Sequence, residues 1–391
     1  RKESSAASDV YKRQLYEWAL VRSGKTVTDL EKNFPKLPEW MSGVSVPTFT
    51  EAEKFAAKTH TPFAFLFLDT PPEENLPIAD MRTLKDSAIR QPSGDLLDTI
   101  YNAQRTQDWY RDYALSNGAE KLSFVGSVGV NNNVSEVAAE ISDLLDFGFD
   151  SRKRIDNMSS LYRHLVDKVE KLGILVLTNG VVGNNTHRKL SVEEFRGFSL
   201  SDEIAPLIFV NGADGYSARI FTLLHELGHI WLGHSALSDA DLSLNDSNSA
   251  KFEERWCNQL AGEILLPKDV LEGMRATKVT EESVTKLARE AGCSVLVVLH
   301  SLFDADFLSW SQYQELYDRE LSAIAERESK GKQTGGGDFY KTIPLRNSPT
   351  FTRAVIVSTL EGNTLYRDAF RMLGTKKPQT FRNLAEKLAV G

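Results

Sequence analysis

Apolar residues return every three to four positions through most of this chain, the period of a helix with one buried face. Leu96, Leu97, Ile100, Ala103, Trp109 and Tyr113 predict a helix over 94–117. Others are predicted over 134–147 and over 159–172, where Leu161, Leu165, Val166 and Val169 share a face. Residues 309–329 and stretches near 348–360, 364–373 and 378–389 read the same way. Between 15 and 69 the pattern breaks into short helices. Thr26 is placed to cap one, and Thr48 with Glu51 forms a capping box for another.

The period changes in the middle of the chain. Gly173–Thr178 is a short apolar run behind a glycine, and Pro206–Asn211 is a second; both predict buried strands. Glu194–Leu200 alternates and predicts an edge strand, where an extended peptide could pair. Asn211 suits a capping role before the next helix. That helix, Phe221–His234, is apolar on nearly every side through Leu223, Leu224, Leu227, Ile230 and Trp231, so it should be buried. Polar residues from Ser235 to Ser249 predict a surface loop, with Asp239 and Asp241 solvated. Phe252–Leu266 then reads as a second helix, stopped by Pro267. The predicted fold is α+β and predominantly helical, with a short three-stranded sheet.

Candidate chemistry lies in the apolar helix. His225 and His229 are four apart, which puts both imidazoles on one face. Glu226 stands beside them, in the His-Glu-x-x-His arrangement of two metal ligands and a general base. The bland reading is a pair of hydrogen-bonded core histidines. A tetrahedral zinc site also needs a third protein ligand. His234 follows His229 by five residues, one short of the metzincin spacing, and reads as a helix-end residue. Within 252–266, a carboxylate one turn before Asn258 would face the first helix; Glu254 fits, whereas Glu253 and Glu263 read as solvated or paired.

Phe221-Thr-Leu-x-His-Glu-Leu-Gly-His229, followed by Glu254-x-x-Cys-Asn258-x-x-Ala261-x-x-Ile-Leu-Leu-Pro267, resembles the ImmA/IrrE metallo-endopeptidases. Cys257 stands where alanine is usual and Leu260 where phenylalanine is usual. The resemblance implies a zincin-like core, with His225, His229 and Glu254 as zinc ligands and Glu226 as catalytic base. It also implies a protein substrate, an Xre-type repressor or antitoxin cleaved in a stress or mobile-element response. Gly197, Tyr216, Arg219 and His234 are candidates for substrate or oxyanion contacts, and the sequence does not choose among them.

The expected organisation is a disordered or artefactual tail over 1–13, a helix-turn-helix unit over 14–72 and a helical connection over 73–149, with 76–92 an extended crossing. The metallopeptidase domain would cover 150–329, and a glycine-rich linker with a helical extension 330–391. The unit at 14–72 resembles a degenerate Xre-type module. Between 11 and 70 it holds eight Lys/Arg (12, 13, 22, 25, 32, 36, 54, 58) against seven Asp/Glu (17, 29, 31, 39, 51, 53, 69). DNA binding there is weakly supported, and a helical module holding a protein partner is the alternative. A non-enzymatic regulator with a structural or sensing zinc site is the rival to the hydrolase.

Composition narrows the classes further. A formal net charge of −8 over 391 residues argues against a dominant affinity for nucleic acid. The two cysteines, Cys257 and Cys293, sit in apolar helical context and read as reduced, so a cytoplasmic protein is expected. No signal-peptide pattern or long apolar run is found, so no membrane span is expected.

Overall fold

The computed structural model describes residues 13–80, 92–238, 249–273, 279–330 and 345–388. The expected N-terminal tail, most of the crossing at 76–92, Asp239 and Asp241, and the glycine-rich linker lie outside the described residues. The chain divides into two compact units. The first takes described residues up to Pro77 together with 92–101, and the second takes Ile78–Asp80 and everything from Asn102 onward.

The first unit begins with α1 (residues 13–22), α2 (Val27–Glu31), α3 (Leu37–Ser42), α4 (Phe49–Thr59) and a 3-10 turn at Phe63–Phe67. The hydroxyls of Thr26 and Thr48 each accept the amide three residues on, and Asp29 and Glu51 close the two capping boxes. Tyr16, Leu30, Phe34, Leu37, Trp40 and Phe55 form the core. Phe34, Trp40 and Phe55 meet pairwise at centroid distances of 5.7–6.2 Å. Arg22 is buried and answered twice: its guanidinium donates to Glu74 at 2.7 Å and to Asp98 at 2.8 Å.

The boundary between the units falls inside α5 (Gly94–Ser116). The second unit continues with α6 (Val134–Leu144), α7 (Phe149–Arg152) and α8 (Met158–Lys171). Its strands are β1 (Ala79–Asp80), β2 (Leu175–Asn179), β3 (Gly197–Leu200), β4 (Leu207–Asn211) and β5 (Ala236–Ser238). The helices α9 (Tyr216–Leu232), α10 (Ser249–Leu265), α11 (Lys268–Glu272), α12 (Glu281–Ala291), α13 (Val295–Asp304) and α14 (Trp310–Lys330) build the rest of this layer. After residue 345 come α15 (Pro349–Leu360), α16 (Tyr366–Met372) and α17 (Pro378–Lys387).

The sheet order is β1-β5-β3-β4-β2. β2 runs parallel to β4, from Leu175 opposite Leu207 to Asn179 opposite Asn211. β3 runs antiparallel to β4 on one side and to β5 on the other. Every residue of β2 to β5 is buried, which explains the nearly continuous apolar runs of β2 and β4.

Three sequence expectations are corrected. Among the described residues the sheet has five strands, not three. β3 is interior: both its edges are already paired, so it cannot accept a substrate strand. Its alternation came from small residues packed against helix α9, not from a solvent face. Asn211 does not cap α9, whose N-cap is Gly215. Its amide instead donates to Ser191 O and Phe195 O, and its carbonyl oxygen accepts from Ala213, which locks the turn leaving β4. The turns after β2 and β4 pass backbone to backbone. A Cβ at Gly180 would lie 2.9 Å from Ala213 N, and one at Gly212 would lie 2.8 Å from Gly180 N.

The core of the second unit wraps α9. Leu223, Leu224, Leu227, Ile230 and Trp231 pack with Leu161, Leu165 and Val169 of α8 and with Trp256, Leu260 and Ile264 of α10. Gly233 ends α9 in the left-handed conformation, with φ of 77°. The amides of Gly126 and Val128 then donate to the carbonyls of Ile230 and Trp231, tying the preceding loop to the end of the helix.

Candidate metal centre

Two helices position the centre. His225, Glu226 and His229 lie in the middle of α9 and are fully buried. Glu254 and Asn258 lie one turn apart on α10, the face that meets α9. Gly228 allows the approach: a Cβ there would stand 2.9 Å from Cys257 Sγ and 3.2 Å from Leu260 Cδ2. The backbones can therefore come close enough for a carboxylate on α10 to reach two imidazoles on α9.

The three candidate ligands converge. His225 Nε2 and His229 Nε2 are 3.2 Å apart. Glu254 Oε1 is 3.1 Å from His229 Nε2, and its Oε2 is 3.3 Å from His225 Nε2. Among the described residues, His225, His229 and Glu254 form the group of potential metal donors that gathers in this way. Donors about 2.0–2.1 Å from a tetrahedral zinc stand roughly 3.3–3.4 Å apart. The three separations therefore suit one small cation held between the groups.

The charges point the same way. Burial opposes a proton on His225, but Glu254 outweighs it and raises the imidazole to about 9. Burial alone would raise Glu254, yet the two imidazoles hold it well below the usual carboxylate range. Burial lifts Glu226 to about 8, with His225 opposing and Glu254 reinforcing the shift. Burial lowers His229. Two carboxyl groups thus share a water-poor space with two imidazoles, of which His225 is drawn toward positive charge and His229 is pushed away from it. A divalent cation suits that arrangement better than a shared proton, and the donor set fits one.

Asn258 completes one side. Its Oδ1 lies 2.8 Å from His225 Nδ1, which assigns the proton to Nδ1 and turns the lone pair of Nε2 toward the cluster. Ser238 completes another: its hydroxyl donates to Glu254 Oε1 at 3.1 Å and lies 3.3 Å from His229 Nε2. Neither residue was singled out for chemistry in the sequence. Asn258 carried a signal, since it sits one turn after Glu254 on the same face. Ser238 carried none, because its strand read as loop.

Glu226 stands apart from the ligand triangle. Neither of its oxygens completes a hydrogen bond, although Ser199 and Ser238 are near. Gly197 is brought to it: a Cβ there would be 3.1 Å from Glu226 Oε1. The other candidates are not gathered. Tyr216 starts α9 nine residues before His225, about 13.5 Å along the axis at about 1.5 Å per residue. Arg219 donates to Asp214 O at 2.8 Å and to Gly212 O, and stacks over Tyr216. His234 turns to Glu253, with Nδ1 3.1 Å from Oε2. Glu263 accepts the Lys268 amide at the start of α11.

Residues 347–387 match a domain of unknown function. No curated protein matches the chain. Residues 169–303 match the peptidase M78 family model, described as the IrrE N-terminal-like domain. That span contains His225, Glu226, His229, Glu254 and Asn258. The match supports the ImmA/IrrE family for this part of the chain, and with it a metallopeptidase-like domain whose buried His225–His229–Glu254 cluster could bind a metal.

Proposed function

We propose that the protein is a zinc-dependent endopeptidase acting on a regulatory protein such as an Xre-type repressor or antitoxin. The observation that carries this reading is a buried triangle of two imidazoles and a carboxylate with a second, unpaired carboxylate beside it. A purely structural metal site has no use for that extra acid. His225, His229 and Glu254 would hold the ion, which when bound supplies a Lewis acid for the peptide carbonyl.

The chain's own groups do the rest. Glu226 has both oxygens free of hydrogen bonds, so it can accept the proton of the attacking water. The water oxygen bonds to the carbonyl carbon, the C–N bond breaks, and Glu226 returns the proton to the leaving nitrogen. Asn258 keeps His225 in the ligating tautomer throughout. Gly197 leaves room for the Glu226 carboxylate under the sheet.

The test is proteolysis of repressor proteins encoded beside this gene. Glu226→Gln should retain zinc and lose cleavage by a factor on the order of 10³. Full cleavage by that variant would overturn the mechanism. The rival reading, a non-enzymatic regulator acting on DNA through residues 14–72, predicts a promoter gel shift that survives Glu226→Gln and disappears when 15–69 are deleted.

A further inference from the structure

Gly197 and Ser199 are two apart on β3, and Gly197 is opposite Ser238 on β5. All three therefore share the face that looks at α9. Val176, Ile208 and Val210 pack on this face, and Ser199 and Ser238 are both fully buried in it. Burying hydroxyls is costly unless they bond. Ser199 completes no hydrogen bond, whereas Ser238 reaches Glu254 Oε1 at 3.1 Å and comes within 3.3 Å of His229 Nε2.

The two histidines are held differently. His225 is oriented from behind by Asn258, at 2.8 Å. The outer nitrogen of His229, Nδ1, completes no hydrogen bond. The side of the cluster formed by His229 and Glu254 thus lacks a counterpart to Asn258, and Ser238 is the polar group that stands there. A hydroxyl donating to a carboxylate makes a charge-assisted bond, which fixes the rotamer of an otherwise flexible glutamate.

Building on the zinc-site reading above, we propose that Ser238 is a positioning residue of the metal centre, its hydroxyl holding the Glu254 carboxylate against His229. The strand that presents it is three residues long, so the third ligand is set by a contact between α10 and the sheet as well as by its own helix.

The experiment measures zinc affinity of the metal-stripped full chain by chelator competition, together with the visible spectrum of its Co²⁺ form and the melting temperature without metal. Ser238→Ala should weaken zinc binding about 10-fold or more and alter the Co²⁺ spectrum, as loss of outer-shell partners does. Its metal-free melting temperature should stay close to that of Ser199→Ala, the control for removing a buried oxygen from the same face. Ser199→Ala should bind zinc as the parent does. Unchanged affinity in Ser238→Ala, or an equal loss in both variants, would overturn the proposal. A parent chain that binds no zinc would instead overturn the underlying metal reading, so the two failures are separable.

Discussion

A methyl group at position 228 would stand 2.9 Å from Cys257 Sγ, inside van der Waals contact, where α9 packs on α10. Gly228→Ala should therefore cost about 1–3 kcal/mol of stability. Cys257→Ala in the same chain should recover part of that loss, because it removes the atom being struck. Chemical denaturation of the two variants measures both effects, and a neutral Gly228→Ala would contradict the packing described. Asn258→Ala should weaken zinc binding about 10-fold or more by freeing the His225 ring, read by chelator competition. At this scale the His-Glu-x-x-His spacing was visible in the sequence, because four residues on one helix fix their own geometry. Glu254 could be singled out by face. Ser238 could not, since its partners are 9 and 16 residues away and nothing local marks it.

Among elements, the helices were legible and the sheet only partly so. α5, α8 and α14 fall within a residue or two of their periodic patterns, because a long amphipathic stripe is redundant. β5 has three residues and pairs only through tertiary contacts, so no period announces it. The interior position of β3 was hidden for the same reason. Single buried charges then tie elements together. Arg152 donates to Ile264 O at 3.0 Å, to Leu265 O at 2.8 Å and to Ala291 O, which caps the ends of α10 and α12. Glu170, at the end of α8, accepts the amides of Val176 and Thr350, each at 2.8 Å, and so binds α15 to the core. Burial raises the Glu170 carboxyl above its usual value, with its hydrogen bonds opposing. The folded chain then holds this proton more tightly than the unfolded one. Its contribution to stability is full below the ordinary carboxyl range and fades as pH rises through the raised folded value. Glu170→Gln cannot titrate, so its melting temperature should fall less steeply with pH over that window. Equal slopes for the two proteins would refute this account of Glu170.

On the scale of the whole molecule, the cluster of potential metal donors found among the described residues lies in the second unit, on α9 and α10. In the first unit the loop between α3 and α4 exposes Val44 and Val46, and α4 exposes Phe49. No helix among the described residues is long and apolar enough to cross a membrane. Function therefore rests on whether one ion joins α9 to α10. Metal analysis of the purified chain beside Glu254→Ala tests this most directly. The account predicts about one zinc per parent chain and a large loss in the variant, since two imidazoles alone make a poor zinc site. A parent without zinc, or a Glu254→Ala chain that keeps its full complement, would contradict it.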